Sequence, residues 1–503
     1  MAQNNTVNGE QNTVVQIEGD GNTVVIGKPH LKLTRFDAAQ QLPLTDIRIL
    51  LPTARRIPLV GRDAEMAALL DFVRSDAPND LRARVLVGDG GSGKTRLALN
   101  LCDHIKTTWN AGFVTTGALK RFFAQQDAGE WGWQRPTLIV LDYAAAQASI
   151  LASWLRELQD RPAPTYPLRI LLLERHADPA HGWHQAVFNS GGWQNHGSSD
   201  MLDPPEPVRI RSLSELADRM AIVRSVLTQA APDMIVKLDQ TPSLAEQIDQ
   251  ARWGGDPLYL AMAALTMAER GNTSAFQLGR TDLALTVASH EQKRLEEMAN
   301  ARHLDPDLVH HLSACITLVQ GLPRNAAIEL VRAEKSATGF DNANAPAHLV
   351  DLLHQALADG ADIAPVRPDL IGEALLLRAW VHPERAAAVQ RLYLAHPAPV
   401  LETLVRLVQD FGADNTTPSA WFQQLLQANW GDMVTLQRMD AAVPGVTVAL
   451  RGINLQLAQR LLELDAASEP ERRAMRLSNV ARALSELGQR EKALEAAQQA
   501  ADL

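Results

Sequence analysis

The sequence predicts a three-layer α/β domain built on a parallel sheet, followed by a mostly helical remainder. Three observations carry this expectation. The apolar runs Ala83–Val87, Thr137–Asp142 and Leu168–Glu174 are short and nearly continuous, as strands buried on both faces must be. A glycine-rich turn joins the first run to a helix-forming segment, Arg96-Leu-Ala-Leu-Asn-Leu101. From Ser212 onward the apolar spacing is helical almost throughout, and after Pro383 the composition turns to Ala, Leu, Gln and Arg.

The bulk composition sets limits on these elements. At 503 residues the chain exceeds what one core can hold, so three or four domains are expected. A hydrophobic content of 46% with 21% charged residues is that of a packed globular protein. The net charge of −10 argues against a protein whose main task is holding nucleic acid. Cys102 and Cys315 lie far apart in apolar helical patterns, which predicts buried free thiols in a reducing compartment. The first residues lack a basic group followed by an apolar core, and no stretch reaches the roughly 18 apolar residues of a membrane span. The expectation is a cytoplasmic protein without a membrane partner.

The glycine-rich turn reads Gly88-Asp-Gly-Gly-Ser-Gly-Lys-Thr95, with every fixed position of GxxxxGK[ST] in a strand-loop-helix context. Glycines allow successive backbone N–H groups to turn inward around a phosphate chain. Lys94 supplies a point charge at the β/γ-phosphates and the Thr95 hydroxyl is placed to ligate Mg²⁺. Gly88, Gly90, Gly91, Ser92, Gly93, Lys94, Thr95 and Arg96 are thus expected at a bound ATP or ADP. The run Thr137–Asp142 ends in a carboxylate that can hold the Mg²⁺ through water, making Asp142 and Thr95 the metal residues. The next residues are Tyr143-Ala-Ala-Ala146, with no second acid to polarise water, so slow hydrolysis or none is expected. Arg175 follows the third run at the rim where strands of an open α/β sheet meet their ligand, and is placed to sense a γ-phosphate. Lys94, Asp142 and Arg175 form the reactive set, with Glu174 and His176 close by.

Upstream, Asn-Thr-Val occurs three times within residues 4 to 27, and Gly9-x-x-Asn12-Thr-Val recurs as Gly19-x-x-Asn22-Thr-Val. Short β-branched runs between Gly/Asn turns describe hairpins or arches. Too short to bury a core, they become stable if several chains stack them, since in-register strands with Asn/Gln ladders satisfy every backbone group. A flexible tail or a small docked β element fits the same residues. Val15-Gln16-Ile17 with Gly19-x-x-Asn22 resembles the RIP homotypic interaction motif and the amyloid signalling sequences of bacterial NLR-like receptors, with Glu18 as an insertion.

Further motifs extend the resemblance. Ile57-Pro-Leu-Val-Gly-Arg-Asp-Ala-Glu65 resembles the start of the nucleotide-binding domain of STAND-class NTPases, which implies that Val60, Gly61 and Arg62 belong to the base pocket. Gly254-Gly-Asp-Pro-Leu-Tyr-Leu260 resembles the GxP motif of the helical lid, which brings Pro257 to the adenine, and Arg175 matches the sensor arginine. Arg367-Pro-Asp-Leu-Ile-Gly-Glu373 stands where plant and animal relatives carry Met-His-Asp-Leu. Pro368 replaces the histidine and cannot donate to a β-phosphate, leaving Asp369 as a helix cap. Arg476–Ala500 is similar to a tetratricopeptide repeat, with Ala481, Leu484, Gly488, Ala493, Ala497 and Ala500 at the helix contact.

The resemblance implies a division into a β-prone segment (1–28), a linker (29–56), a P-loop domain (57–210), a helical lid (211–280), a winged-helix-like domain (281–380) and a helical sensor region (381–503). It implies a switch that binds ADP or ATP, senses a protein ligand on its C-terminal helices, forms a homo-oligomer and signals through its N-terminal segment to a separate effector, as in bacterial defence. A STAND-type transcriptional regulator and a plain ATPase on a tetratricopeptide scaffold are the competing classes. The first lacks a basic recognition helix and the second a water-activating group.

Overall fold

The computed structural model describes residues 31–36, 47–74, 80–123, 131–160, 165–179, 182–188, 198–235, 242–251, 253–340, 344–359, 362–444, 448–465 and 469–503. The Asn-Thr-Val repeats of the first 28 residues lie outside the described residues.

Five parallel strands, β1 (Leu81–Val87), β2 (Asn110–Phe113), β3 (Thr137–Asp142), β4 (Leu168–Glu174) and β5 (Val208–Arg209), form one sheet in the order β2-β3-β4-β1-β5. The three long central strands are those legible in the sequence. Their continuous apolar character hides an alternation, because each face of the sheet has its own core. Ala83, Val85, Ile170 and Leu172 point to a cluster with Trp154 and Phe188, whereas Leu86, Leu171 and Leu173 meet Leu97, Leu101 and Phe72. The two edge strands β2 and β5 were not legible, being too short to show a period.

Residues 29–56 were expected to be a linker, yet the described part is packed. Thr34 exchanges two backbone hydrogen bonds with Phe113 at the β2 edge (2.7 and 2.9 Å), which covers that edge. Ile47, Ile49 and Leu50 are buried in the helical half. Isolated apolar residues in a short 3₁₀ turn, Ile47–Leu50, have no periodicity to reveal them.

The helical half shares one continuous core that runs from Leu213 to Leu461. It includes helices Leu216–Ala230, Pro257–Arg270, Arg280–Asn300, Pro306–Leu318, Arg324–Ala337, Pro346–Ala356, Asp369–Ala379 and Pro397–Phe411. Three two-residue strands, β6 (Leu322–Pro323), β7 (Ala358–Asp359) and β8 (Asp362–Ile363), make a small antiparallel sheet in the order β6-β8-β7. Pro368 precedes the helix Asp369–Ala379, and Asp369 is its first residue, without a capping hydrogen bond. The expected cap role is therefore corrected: the Asp369 carboxylate accepts from the Tyr143 hydroxyl of the sheet domain instead.

Inside this core His311, Cys315 and Glu334 gather in a cluster with the chemistry of metal ligands. The hydrogen bonds assign it otherwise. Trp380 Nε1 donates to His311 Nδ1 (3.1 Å), so the proton sits on Nε2, which faces Glu334 Oε2 at 2.8 Å and has no lone pair for a cation. Arg391 takes both Glu334 oxygens (2.9 and 2.7 Å). Burial alone would raise the Glu334 carboxyl, but the bonds from Arg391 and His311 hold it at about 2.

The terminal hairpin, Pro470–Glu486 and Arg490–Ala501, turns at Gly488, whose φ of +77° suits glycine. Ala481, Leu484 and Ala493 are buried at the contact as expected, but Ala496 takes the place assigned to Ala497, which is exposed. Ala496 lies three positions after Ala493, so the small residues follow the i, i+3 row of the helix. Among the described residues no helix is long and apolar enough to cross a membrane.

Gly255 fixes the seat of the Pro257 helix, since a Cβ there would lie 2.0 Å from the Leu213 carbonyl. Gly255→Ala is expected to destabilise the protein by about 1–3 kcal/mol, as overpacking against backbone does. Thermal unfolding of the purified variant checks it.

Candidate functional site

The glycine-rich loop rises from the C-terminal end of β1 and leads into the helix Lys94–Ile105. Gly91 and Gly93 take φ of +87° and +95°, a left-handed geometry that turns the loop's N–H groups inward and that side-chain-bearing residues rarely adopt. Lys94 Nζ folds onto the Gly88 and Asp89 carbonyls, which aims its charge at the hollow of the loop. Burial lowers the Lys94 pKa, and the nearby Asp142 opposes that shift.

Thr95 Oγ1 donates to Asp142 Oδ2 at 2.8 Å. The two expected metal residues, 47 positions apart in the chain, thus meet. Burial pushes the Asp142 carboxyl up to about 6, against the Thr95 hydrogen bond and the Lys94 charge. Such a carboxylate lacks a strong positive partner, which a divalent cation would supply. Glu174, at the end of the neighbouring strand, has both oxygens occupied by backbone N–H groups, of Ala145 (3.0 Å) and Arg175 (2.7 Å).

The remaining expected residues divide into two groups. Arg62 is buried and donates to the Ser92 carbonyl (3.1 Å) and the Arg211 carbonyl (2.6 Å), tying the 57–65 segment to the loop and to the start of the helical half. Gly61 allows this approach, because a Cβ there would meet Asp218 Oδ2 at 2.3 Å. Val60 packs against the helical core. Pro257 lies over Gly93, and Leu258 N donates to the Gly91 carbonyl at 3.3 Å. A cleft of ≈ 290 Å³ opens beside this junction, lined by Asp89, Ser92, Arg209, Ile210, Arg211, Ser212 and Asp256. Arg96 differs from the rest: its guanidinium donates to the Pro52 and Ile57 carbonyls (3.0 and 3.1 Å), so it anchors the preceding segment and does not point into the loop.

Arg175 stands at the sheet rim as expected, with its carbonyl accepting from Gly88 N–H (3.2 Å). Its guanidinium is held by two carboxylates of the helical half, Asp410 at 2.6 Å and Glu373 at 3.4 Å. Arg406 pairs with the same Glu373 oxygen (2.9 Å) and stacks on the Tyr143 ring at 4.8 Å. Glu373 Oε2 and Asp410 Oδ2 are buried without a donor facing them, although the two carboxyl groups interact with one another. Burial raises the Glu373 carboxyl well above its usual range, so it keeps a proton that serves both oxygens. Nothing in the local sequence marked Arg406 and Asp410. They reach the loop from a helix more than 300 residues downstream, Pro397–Phe411.

The donors fit a nucleotide phosphate chain with Mg²⁺: inward N–H groups, one lysine, and a hydroxyl paired with an under-compensated carboxylate. Asp142→Asn should stabilise the nucleotide-free protein at neutral pH by up to about 3 kcal/mol, the upper limit that two pH units of raised pKa allow. A raised carboxyl favours the folded state only while protonated. The gain should therefore be absent below pH 3.8, grow as pH rises, and level off above about 6. Thermal melts across pH 3.5 to 8 read this directly.

Residues 58–262 match the AAA ATPase domain family. No curated protein matches the chain. Among solved structures, Cdc6p from Pyrobaculum aerophilum aligns at 14% identity, covering 66% of this chain and 99% of that one with a TM-score of 0.28. With the loop, the Thr95–Asp142 pair and the parallel sheet in place, the family match leads to one conclusion: this chain carries a P-loop NTPase domain followed by a mostly helical region.

Proposed function

We propose that this protein is a nucleotide-dependent switch of the STAND kind. ADP at Gly88–Thr95, with Mg²⁺ on Thr95 and Asp142, holds the helical half closed, and ATP belongs to an open state that assembles into a homo-oligomer. The observation that carries this reading is the ion network in which Glu373 and Asp410 of the helical half grip Arg175 of the sheet domain. A simple hydrolase has no need to bind its own γ-phosphate arginine to a distant helix. A switch does, because the same residue then reports which partner it has.

Each part has a role in this scheme. Gly91, Gly93 and the first turn of the Lys94 helix hold the phosphates, Lys94 balances their charge, and Arg62 with Pro257 and Ser92 borders the cleft for the base. Bound Mg²⁺ would bridge the phosphates and screen their charge. Helices 216–270 act as the lid. The three helices from Pro306 to Ala356 with the small sheet β6-β8-β7 act as a winged helix, and the segments after Pro383 act as the sensor for a protein ligand. Turnover is slow, since Tyr143 occupies the place of a second acid and Glu174 is engaged by backbone. The N-terminal segment would pass the signal to a separate effector once oligomers raise its local concentration.

Inverting a population from 1:99 to 99:1 requires about 5.5 kcal/mol of differential binding. Exchange of ADP for ATP, a bound protein ligand and new subunit contacts share that requirement. Freshly purified protein is expected to carry ADP as a particle of monomer mass, and to become larger and more protease-sensitive with ATP and the ligand. Lys94→Ala should abolish nucleotide binding. Mass photometry and chromatography of the released nucleotide check this, and a particle of unchanged size and protease pattern in both nucleotides would remove the switch.

A further inference from the structure

The carboxylate of Asp410 lies at the mouth of the phosphate loop. Both its oxygens are 3.2 Å from where a Cβ on Gly90 would sit, and Oδ1 is 2.6 Å from Arg175 Nη1. Gly90 is in the early part of the loop, on the side of the Gly88 and Asp89 carbonyls onto which Lys94 folds, and Arg175 is joined to that side through Gly88 N–H. A phosphate chain anchored on the first turn of the Lys94 helix would extend toward this place, bringing its terminal group near Gly90 and Arg175. An anion from the protein already occupies that position.

We propose that Asp410 makes the closed site selective for a nucleoside diphosphate: its carboxylate stands in for the terminal phosphate, and a triphosphate enters only when the helix Pro397–Phe411 withdraws. The inference rests on the nucleotide reading above and adds the residue that tells the two nucleotides apart.

Three features support it. First, Asp410 is the partner that Arg175 holds most closely: its Oδ1 lies 2.6 Å from the guanidinium, against 3.4 Å for Glu373, whose carboxyl burial keeps protonated. Second, Asp410 sits in the last turn of its helix, where the helix dipole disfavours a negative charge. Its neighbours Leu407, Val408 and Phe411 are buried in the helical core and hold it there regardless. Third, the opposition is chemical as well as steric. A carboxylate and a γ-phosphate cannot share one guanidinium without like-charge repulsion, whereas a diphosphate held by the Gly91–Thr95 N–H groups stops short of the contested space.

The test measures ADP and ATP affinity, with Mg²⁺, on nucleotide-stripped full-length protein by calorimetry. Wild type is expected to bind ADP at least about tenfold tighter than ATP. Asp410→Asn, which keeps the shape, and Asp410→Ala, which empties it, should each raise ATP affinity about tenfold or more while ADP stays within about threefold. Glu373→Gln keeps the shape of the protonated carboxyl and leaves the anion beside Gly90, so the ADP/ATP ratio should stay that of wild type. An ADP/ATP ratio equal in wild type and both Asp410 variants overturns the inference and leaves the nucleotide reading intact. Failure of wild type to bind either nucleotide better than Lys94→Ala overturns both.

Discussion

The structure depends on how a buried guanidinium at the rim of the sheet is neutralised. Arg175 emerges at the end of β4, buried, and a charge in that position must be paired. The partners come from two helices of the other half of the molecule, and a second arginine, Arg406, extends the network to Tyr143 and Asp369. The contact is polar, and within it burial holds the Glu373 carboxyl well above its usual range. A buried network of this kind is costly to break by halves, and in the proposed switch it is exchanged as a unit for a different anion. This distinguishes it from the apolar core around it, which can only be packed or unpacked.

Two surfaces therefore join the sheet domain to the helical half. On one side Arg62, Gly61, Gly255 and Leu258 bring backbone close to backbone around the loop, with hydrogen bonds to the Ser92, Arg211 and Gly91 carbonyls. That side is steric and short-range, and fixes the start of the Pro257 helix to the loop. The other side, around Arg175, is electrostatic, made of ion pairs with Asp410 and Glu373. The continuous core from Leu213 to Leu461 connects both sides to the same helical body. In the proposed switch a change of partner at Arg175 would act on many helices at once, because a close-packed interior moves in discrete rearrangements.

Much of the site was legible because its motif is local. Gly88 to Thr95 must supply N–H groups, a lysine and a hydroxyl within eight positions, and the strand runs before Asp142 and Arg175 had to be apolar to lie in the middle of a sheet. The short strands β2 and β5, the packed residues of 29–56 and the register of the last hairpin were not legible. Each consists of too few residues for a period to appear, and Ala496 differs from Ala497 only in which way a helix is turned. Arg96 misled for a related reason: adjacency in sequence to the loop says nothing of direction, and one residue's rotation along the helix aims it at Pro52 and Ile57.

By itself the sequence determined that a phosphate-binding loop stands on a buried parallel sheet, since both follow from residue types at fixed spacing along a few turns of chain. It determined also that a long helical region follows, since amphipathic spacing is a local property. Only the tertiary structure decided that Arg175 faces Asp410 and Glu373, that Asp142 meets Thr95, and that His311 donates to Glu334 instead of binding a metal. Those outcomes depend on which charges share a low-dielectric interior. Charge compensation acts through space, between residues that up to 235 positions of chain separate, and no local pattern records it.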